Sequence, residues 1–270
     1  MILASNGIIS VSRGVSDSDA QAFITAATIT DNTQKNAINQ LVIDLKSAGI
    51  WTKMKAVYPF VGGTASQHRF NLKDPRTVSG AYYLTFNGGV THSSNGVQFD
   101  GATGYAETFF NPTTGYSVNN SAHISFYSRT NSSEINDIEM GCFDVNYLVI
   151  TTRRADQSNN SFLFANTLSG GVSFADADSL GLYVANRINN QANGFKNGIS
   201  KGSNTVADNA RNNREIVIGA QSSPGFNISQ YTSRQSAFAT IGDGLTDTEA
   251  TNFYTAVQTF QVALGGGRAV

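Results

Sequence analysis

Between residues 56 and 241 the chain is a succession of short apolar runs separated by Asn-Gly and Asp-Gly pairs, and this punctuation limits the fold more than any other feature. The runs fall at 56–61, 81–86, 96–99, 105–109, 123–127, 147–152, 161–164, 181–184, 215–218 and 236–241. Between and around them stand Asn87-Gly88, Asn95-Gly96, Asp100-Gly101, Asn193-Gly194 and Asn197-Gly198. Such pairs adopt the positive φ angles that two-residue hairpins need. Many short strands at roughly 8–12-residue spacing predict an antiparallel β-sandwich. With only 4 prolines in 270 residues, few strands are forced to sheet edges. Phe99, Phe126, Ile216 and Ile218 hold the apolar positions of their runs and are expected in the core.

Both ends change period. Ser16 and Asp17 can cap a short helix carrying Ala20, Phe23, Ile24 and Ala27. Asp31, with Gln34 three residues on, opens a stronger one, in which Ile38, Leu41, Val42 and Leu45 recur at helical spacing and Gly49 supplies the stop. Residues 1–15, with Ile8, Ile9 and Val11, read as an extended arm. At the other end Thr246-Asp247-Thr248-Glu249 forms a capping box before a stripe of Phe253, Val257, Phe260 and Leu264, closed by Gly265-Gly266-Gly267. The expected division is therefore an arm and two helices over 1–50, whose apolar stripes await a partner or a second copy, and a sandwich with a short C-terminal helix over 51–270. Deleting residues 1–50 should then leave a folded sandwich.

Charge narrows the partners. Charged residues make up 14% of the chain, and 18 Lys+Arg against 19 Asp+Glu give a net charge of −1. No basic excess exists to displace counterions from a phosphate backbone, which argues against nucleic acid. Cys142 is the single cysteine, so neither a disulfide framework nor a multi-thiolate zinc site is available. No apolar run approaches the roughly 18 residues of a membrane span. The opening MILASNGIISVSRG lacks the basic start and long apolar centre of a secretion signal, so the chain is read as soluble and made in a cytosol.

The stretch Val97-Gln98-Phe99-Asp100-Gly101-Ala102-Thr103-Gly104-Tyr105 resembles the strand, turn and strand of concanavalin A-like (laminin-G-like) jelly-roll domains. His123-Ile124-Ser125-Phe126-Tyr127, Gly194-Phe195-Lys196-Asn197-Gly198 and Ile216-Val217-Ile218-Gly219-Ala220 are similar to later pieces of the same domains, in matching order. The closing 239–249 segment is similar to their last strand and capped helix, so the resemblance covers roughly residues 55 to 265. From Ala37-Ile38-Asn39 through Tyr58-Pro59-Phe60-Val61 to Asn71-Leu72-Lys73, the chain resembles laminin-G-like proteins encoded among structural genes of tailed bacteriophages. That resemblance implies a mainly β, concanavalin A-like antiparallel sandwich carried on a virion, with other virion proteins, a second copy, and host or environmental glycans as partners.

Candidate chemistry is sparse. Some glucanases of this superfold use paired carboxylates, and Glu134, Asp137 and Glu139 lie close together, but no sheet Trp accompanies them. Trp51 precedes the sandwich. They are read as solvated charges at a loop edge, and the protein as non-enzymatic. His68, His92 and His123 are too dispersed for a zinc helix, and no serine elbow or phosphate-cradling glycine loop occurs. Asp176-Ala177-Asp178 and Asp243 with Asp247 offer oxygen ligands for calcium without matching an EF-hand, so no cofactor is expected. For glycan binding, Tyr183, Asn186, Arg187 and Asn197 supply an aromatic face with amide and guanidinium donors on strand and hairpin positions.

Overall fold

A computed structural model describes residues 14–207, 210–225 and 227–270. The arm of residues 1–15 lies outside the described residues except for Gly14 and Val15. In chain order the elements are α1 (Ser18–Ala26), α2 (Asn32–Ser47), β1 (Met54–Tyr58), α3 (Ala65–His68), β2 (Thr85–Asn87), β3 (Val90–Ser93), β4 (Gly96–Phe99), β5 (Tyr105–Glu107), α4 (Pro112–Gly115) and β6 (Ser121–Ser128). There follow β7 (Met140–Phe143), β8 (Tyr147–Arg154), β9 (Asn160–Thr167), β10 (Val172–Ala175), β11 (Gly181–Ile188), β12 (Gln191–Lys196) and β13 (Ile199–Thr205). The last are β14 (Val217–Ile218), β15 (Gln221–Ser223), β16 (Asn227–Ser229), β17 (Gln235–Gly242) and α5 (Asp247–Leu264). Short 3-10 turns at Trp51–Lys53, Ser79–Ala81 and Ala155–Gln157 complete the set.

The strands form two antiparallel sheets laid face to face. One runs β13-β12-β11-β6-β17-β4-β3 with β1 added on β17, and the other runs β10-β9-β8-β7-β14-β5-β2 with β15 and β16 beside β7. Within this mainly β sandwich the expected run at 81–86 is only partly a strand. Ala81 closes a 3-10 turn and β2 starts at Thr85, because Tyr82 takes a left-handed φ of 56° that breaks the extension. The Asp100 motif is a turn lock. Its carboxylate accepts the backbone N–H groups of Ala102, Thr103 and Gly104 at 2.9, 2.8 and 2.7 Å, and these bonds, the Thr103 N–H foremost, hold it well below the usual carboxylate range.

Two cores result. Between the sheets lie Tyr58, Phe99, Ile124, Phe126, Tyr183, Met140, Cys142, Leu148, Ile150, Leu163, Ile216 and Ile218. The second core covers the outer face of the eight-stranded sheet, where Tyr127, Leu182, Val184, Phe195 and Phe238 meet α1, α2 and α5. Adjacent residues of β11 thus serve different cores, Leu182 and Val184 facing the helices, Tyr183 and Ala185 the second sheet. The apolar stripes of α1 and α2 are covered within the chain: Phe23, Ile38, Leu41, Val42 and Leu45 are at most 1% exposed and Ile24 5%. The C-terminal helix is 18 residues long rather than short, and its capping box is formed as expected by Thr246 and Glu249.

Arg268 closes the molecule. Its buried guanidinium donates to the carbonyls of Pro59, Phe60, Ser94 and Ala237 and to Oε1 of Gln261, at 2.6–3.1 Å. One side chain thereby joins the end of β1, the β3–β4 turn, β17 and α5.

Candidate functional site

The residues that the sequence offered for glycan binding are internal. Tyr183, Asn186 and Arg187 are fully buried on β11, which has helices on one face and the second sheet on the other. The Tyr183 hydroxyl donates to Asp176 at 2.6 Å. Asn186 donates to the carbonyl of Leu245 and accepts its N–H, fixing the entry to α5. Arg187 donates to the carbonyls of Asn166 and Ala207 and to Oδ1 of Asn120. Asn197, half-buried, forms the β12–β13 turn with Gly198, at φ of 53° and 72°, and its Oδ1 accepts the N–H of Leu182 at 2.8 Å. These four hold the sandwich together and present no common face to a ligand.

The calcium candidates have other partners as well. The ammonium of Lys196 sits 2.6 Å from Asp176 and 3.0 Å from Asp178, where a cation would stand between them. Lys55 pairs with Asp243 at 3.0 Å, while Asp247 occupies the first turn of α5.

The three acids are not solvated loop charges. Glu139 and Asp137 are 0% and 1% exposed and, with Glu134, surround the buried guanidinium of Arg234 at 2.5, 3.6 and 3.8 Å respectively. Sequence spacing hides this because Arg234 comes from β17's approach, 95 residues after Glu139.

Each histidine is at least half-buried, and burial lowers the proton affinity of all three, to a pKa of about 3 for His68 and about 4 for His123. The N–H of Gly63 donates to Nε2 of His68, so the single proton between the two Nδ1 atoms of His68 and His92, 3.1 Å apart, belongs to His68. The unfolded chain binds protons on these rings near pH 6.5, and the folded chain binds them at lower pH, well below it for His68 and His123. The histidines' contribution to stability is therefore full above pH 6.5 and falls as the pH drops, by up to roughly 1.4 kcal/mol per pH unit for each ring. Urea unfolding of Asp137→Asn, which removes the buried carboxyl that titrates in the opposite sense, at pH 7 and pH 5 measures this, and equal midpoints would contradict it.

The outer face of the nine-stranded sheet is covered by none of the described helices. On β8, Leu148 and Ile150 point inward and Tyr147, Val149 and Thr151 outward. On β9, Leu163 and Ala165 point inward and Phe162 and Phe164 outward, with Val149 opposite Phe164 and Thr151 opposite Phe162. These outward residues, with Ile138, Arg154, Gln157 and Gln230, line a half-open groove of about 300 Å³. Its aromatic wall continues to β7, since the Tyr147 ring lies 5.5 Å from that of Phe164 and stacks on Phe143 at 4.4 Å. Gly141 lets the floor close up: a Cβ there would fall 2.2 Å from the carbonyl oxygen of Leu148.

The polar rim is held in place before any ligand arrives. Arg154 is paired through both its Nε and Nη2 with the Asp156 carboxylate. Oδ1 of Asn136 accepts from Gln230 at 2.7 Å and from Arg154 at 3.4 Å. Opposed charges cancel at this rim, leaving amides, a hydroxyl and an anchored guanidinium above apolar rings. The alternation in 147–152 and 161–164 carried the aromatic half of this signal. The rim residues Arg154 and Gln230, joined through Asn136 from separate segments, carried none.

No family model and no curated protein matches the chain. Among solved structures it is similar to a mutant of Trypanosoma rangeli sialidase displaying trans-sialidase activity, with a TM-score of 0.53 and 13% identity over 91% of this chain and 39% of that one. It is also similar to domain 4 of an extracellular arabinanase from Geobacillus stearothermophilus in complex with arabinotriose (TM-score 0.48, 12% identity, 74% of this chain and 98% of that one). A third is the botulinum neurotoxin serotype D binding domain (TM-score 0.48, 12% identity, 77% and 52%). This chain thus spans two fifths of the sialidase and half of the neurotoxin domain. At such identities the likeness is one of fold, the two-sheet sandwich.

Proposed function

We propose that the protein is a non-enzymatic, lectin-like module that binds a neutral saccharide in the groove of the nine-stranded sheet. The observation that carries this reading is the wall of Tyr147, Phe162 and Phe164 beneath the fixed polar groups of Arg154 and Gln230, with Gln157 beside them. Sugar rings offer an apolar C–H face to aromatic side chains and a fringe of hydroxyls to amides and guanidinium groups, which is what this groove supplies. The sandwich shared with the sialidase agrees with a saccharide ligand without choosing one. Hydrolysis is not part of the reading, because Glu134, Asp137 and Glu139 close around Arg234 and none of them lines the groove.

A glycan array followed by calorimetry on the best ligand tests it. Phe164→Ala removes a ring from the wall and is expected to weaken binding by about tenfold or more, as loss of a central aromatic contact does. Because Phe164 is half-buried on the outer face and belongs to neither core, the melting temperature should fall less than for truncation of a core phenylalanine such as Phe126. Absence of any saccharide ligand, or equal affinity of the variant, would overturn the reading.

The virion setting is the finer part of the proposal. It rests on the resemblance of residues 37–73 to phage-encoded laminin-G-like proteins, with other virion proteins as the partners. Mass spectrometry of purified particles tests it, and absence of the chain from them would remove the setting while leaving the groove's reading intact.

A further inference from the structure

A second cleft, remote in sequence from the groove's strands, lies between the turn after α1 and the segment that holds α3. It has a volume of about 500 Å³ and is lined by Thr28, Thr64, Ser66, Gln67, Arg69 and Tyr83 with their apolar neighbours. No carboxylate lines it. The guanidinium of Arg69 lies over the ring of Tyr83, 4.2 Å from its centroid, and Tyr83 is itself held edge-on by Phe70 at 5.4 Å.

Arg69 is singular among the described arginines. Arg76, Arg154 and Arg234 meet carboxylates, and Arg129, Arg153, Arg187, Arg211, Arg214 and Arg268 donate to carbonyl or amide oxygens. Among the described residues the Arg69 side chain makes no ion pair and donates no hydrogen bond, and its Nε is buried without an acceptor. A buried N–H left unmatched is costly, and a guanidinium offers donors in a planar fork that fits two oxygens of one anion. The Tyr83 ring beside it restrains where that fork sits. Ser66 and Thr64 stand on the rim of the same cleft, where the Thr64 hydroxyl donates to Oε1 of Gln67 at 2.8 Å and the Ser66 hydroxyl, 3.0 Å from that of Thr64, is left as the donor that can turn into the cleft.

We propose that this cleft is an oxyanion site in which Arg69 receives a carboxylate, sulfate or phosphate group of a ligand, with the Ser66 hydroxyl completing the contacts. It is independent of the saccharide groove, so either site can fail without the other.

Titration of the whole protein with sodium sulfate, sodium phosphate and sodium glucuronate, at ionic strength held constant with chloride, tests it. The readouts are the melting temperature and the Nε–H resonance of Arg69. At least one probe is expected to give a saturable rise in melting temperature and to shift that resonance, and the probe that does so identifies the oxyanion. Arg69→Gln should weaken that response at least tenfold. Ser66→Glu places an internal carboxylate at the rim, and is expected to raise the melting temperature without added anion and to abolish the response to it. The second variant keeps the test decisive should Arg69→Gln fail to fold. No saturable response to any of the three probes, or an undiminished response in Ser66→Glu, would overturn the proposal.

Discussion

A chain beginning at Trp51 is expected not to fold cooperatively. The two helices it lacks bury Phe23, Ile24, Ile38, Leu41, Val42 and Leu45 against α5 and the outer face of the eight-stranded sheet. Full burial of one such side chain stabilises by roughly 1.5–3 kcal/mol. Six of them amount to about 9–18 kcal/mol, which is as large as the ~5–15 kcal/mol by which a whole domain is stable. The sequence read those stripes as surfaces for a partner, and the packing reverses that expectation. Calorimetry decides: a single sharp transition of the truncated chain at the melting temperature of the full one would restore a separable attachment module.

Removing Arg234 should do comparable damage from a single position. In Arg234→Leu the Glu139 and Glu134 carboxylates and the Ser132, Ser179 and Thr152 oxygens that the guanidinium contacts all lose it at once. Breaking a buried ion pair on one side costs about 3–5 kcal/mol. Asp137→Asn should behave in the opposite way. Burial first, and then the adjoining Glu139 charge, push the Asp137 carboxyl up to a pKa of about 10. The folded state therefore keeps a proton that the unfolded state gives up near pH 4, and stability falls as pH rises between those values, by up to roughly 1.4 kcal/mol per unit. The amide has no proton to release, so the variant should unfold at nearly the same urea concentration at pH 6 and pH 9, while the parent is weaker at pH 9. A parent with no such slope, together with a variant weaker at both pH values, would mean that Asp137 is ionised beside Arg234.

The sandwich and its helices were legible because their signals are local. Asp31 with Gln34, Thr246 with Glu249 and the Asn197-Gly198 turn each act within four residues, and each forms as read. The binding surface was not legible, for a reason visible in β11 and β9. Gly181–Ile188 and Asn160–Thr167 both alternate large apolar side chains on two faces. Which strand has a face in water depends on where the helices land, and that is decided by α2 and α5 meeting across the whole chain. Tyr183 therefore reads as a candidate sugar contact, while Phe162 and Phe164, which are only half-buried, read as ordinary strand residues. Arg69 was missed for a related reason, since nothing local marks an arginine as lacking an acceptor.

The closure by Arg268 bears on how fast the molecule can form. Its bond to the carbonyl of Phe60 spans 208 residues, and β1 finds its place beside β17, at the far end of the strand sequence. Contacts between such distant segments require the intervening chain to be ordered or looped out first, and folding slows as their share grows. Until the last strand and helix dock, α1 and α2 have no surface to cover, and the outer face of the eight-stranded sheet is a sticky apolar plane. Yield on refolding is then a contest between late docking and association through that plane, decided by protein concentration rather than by the stability of the finished fold.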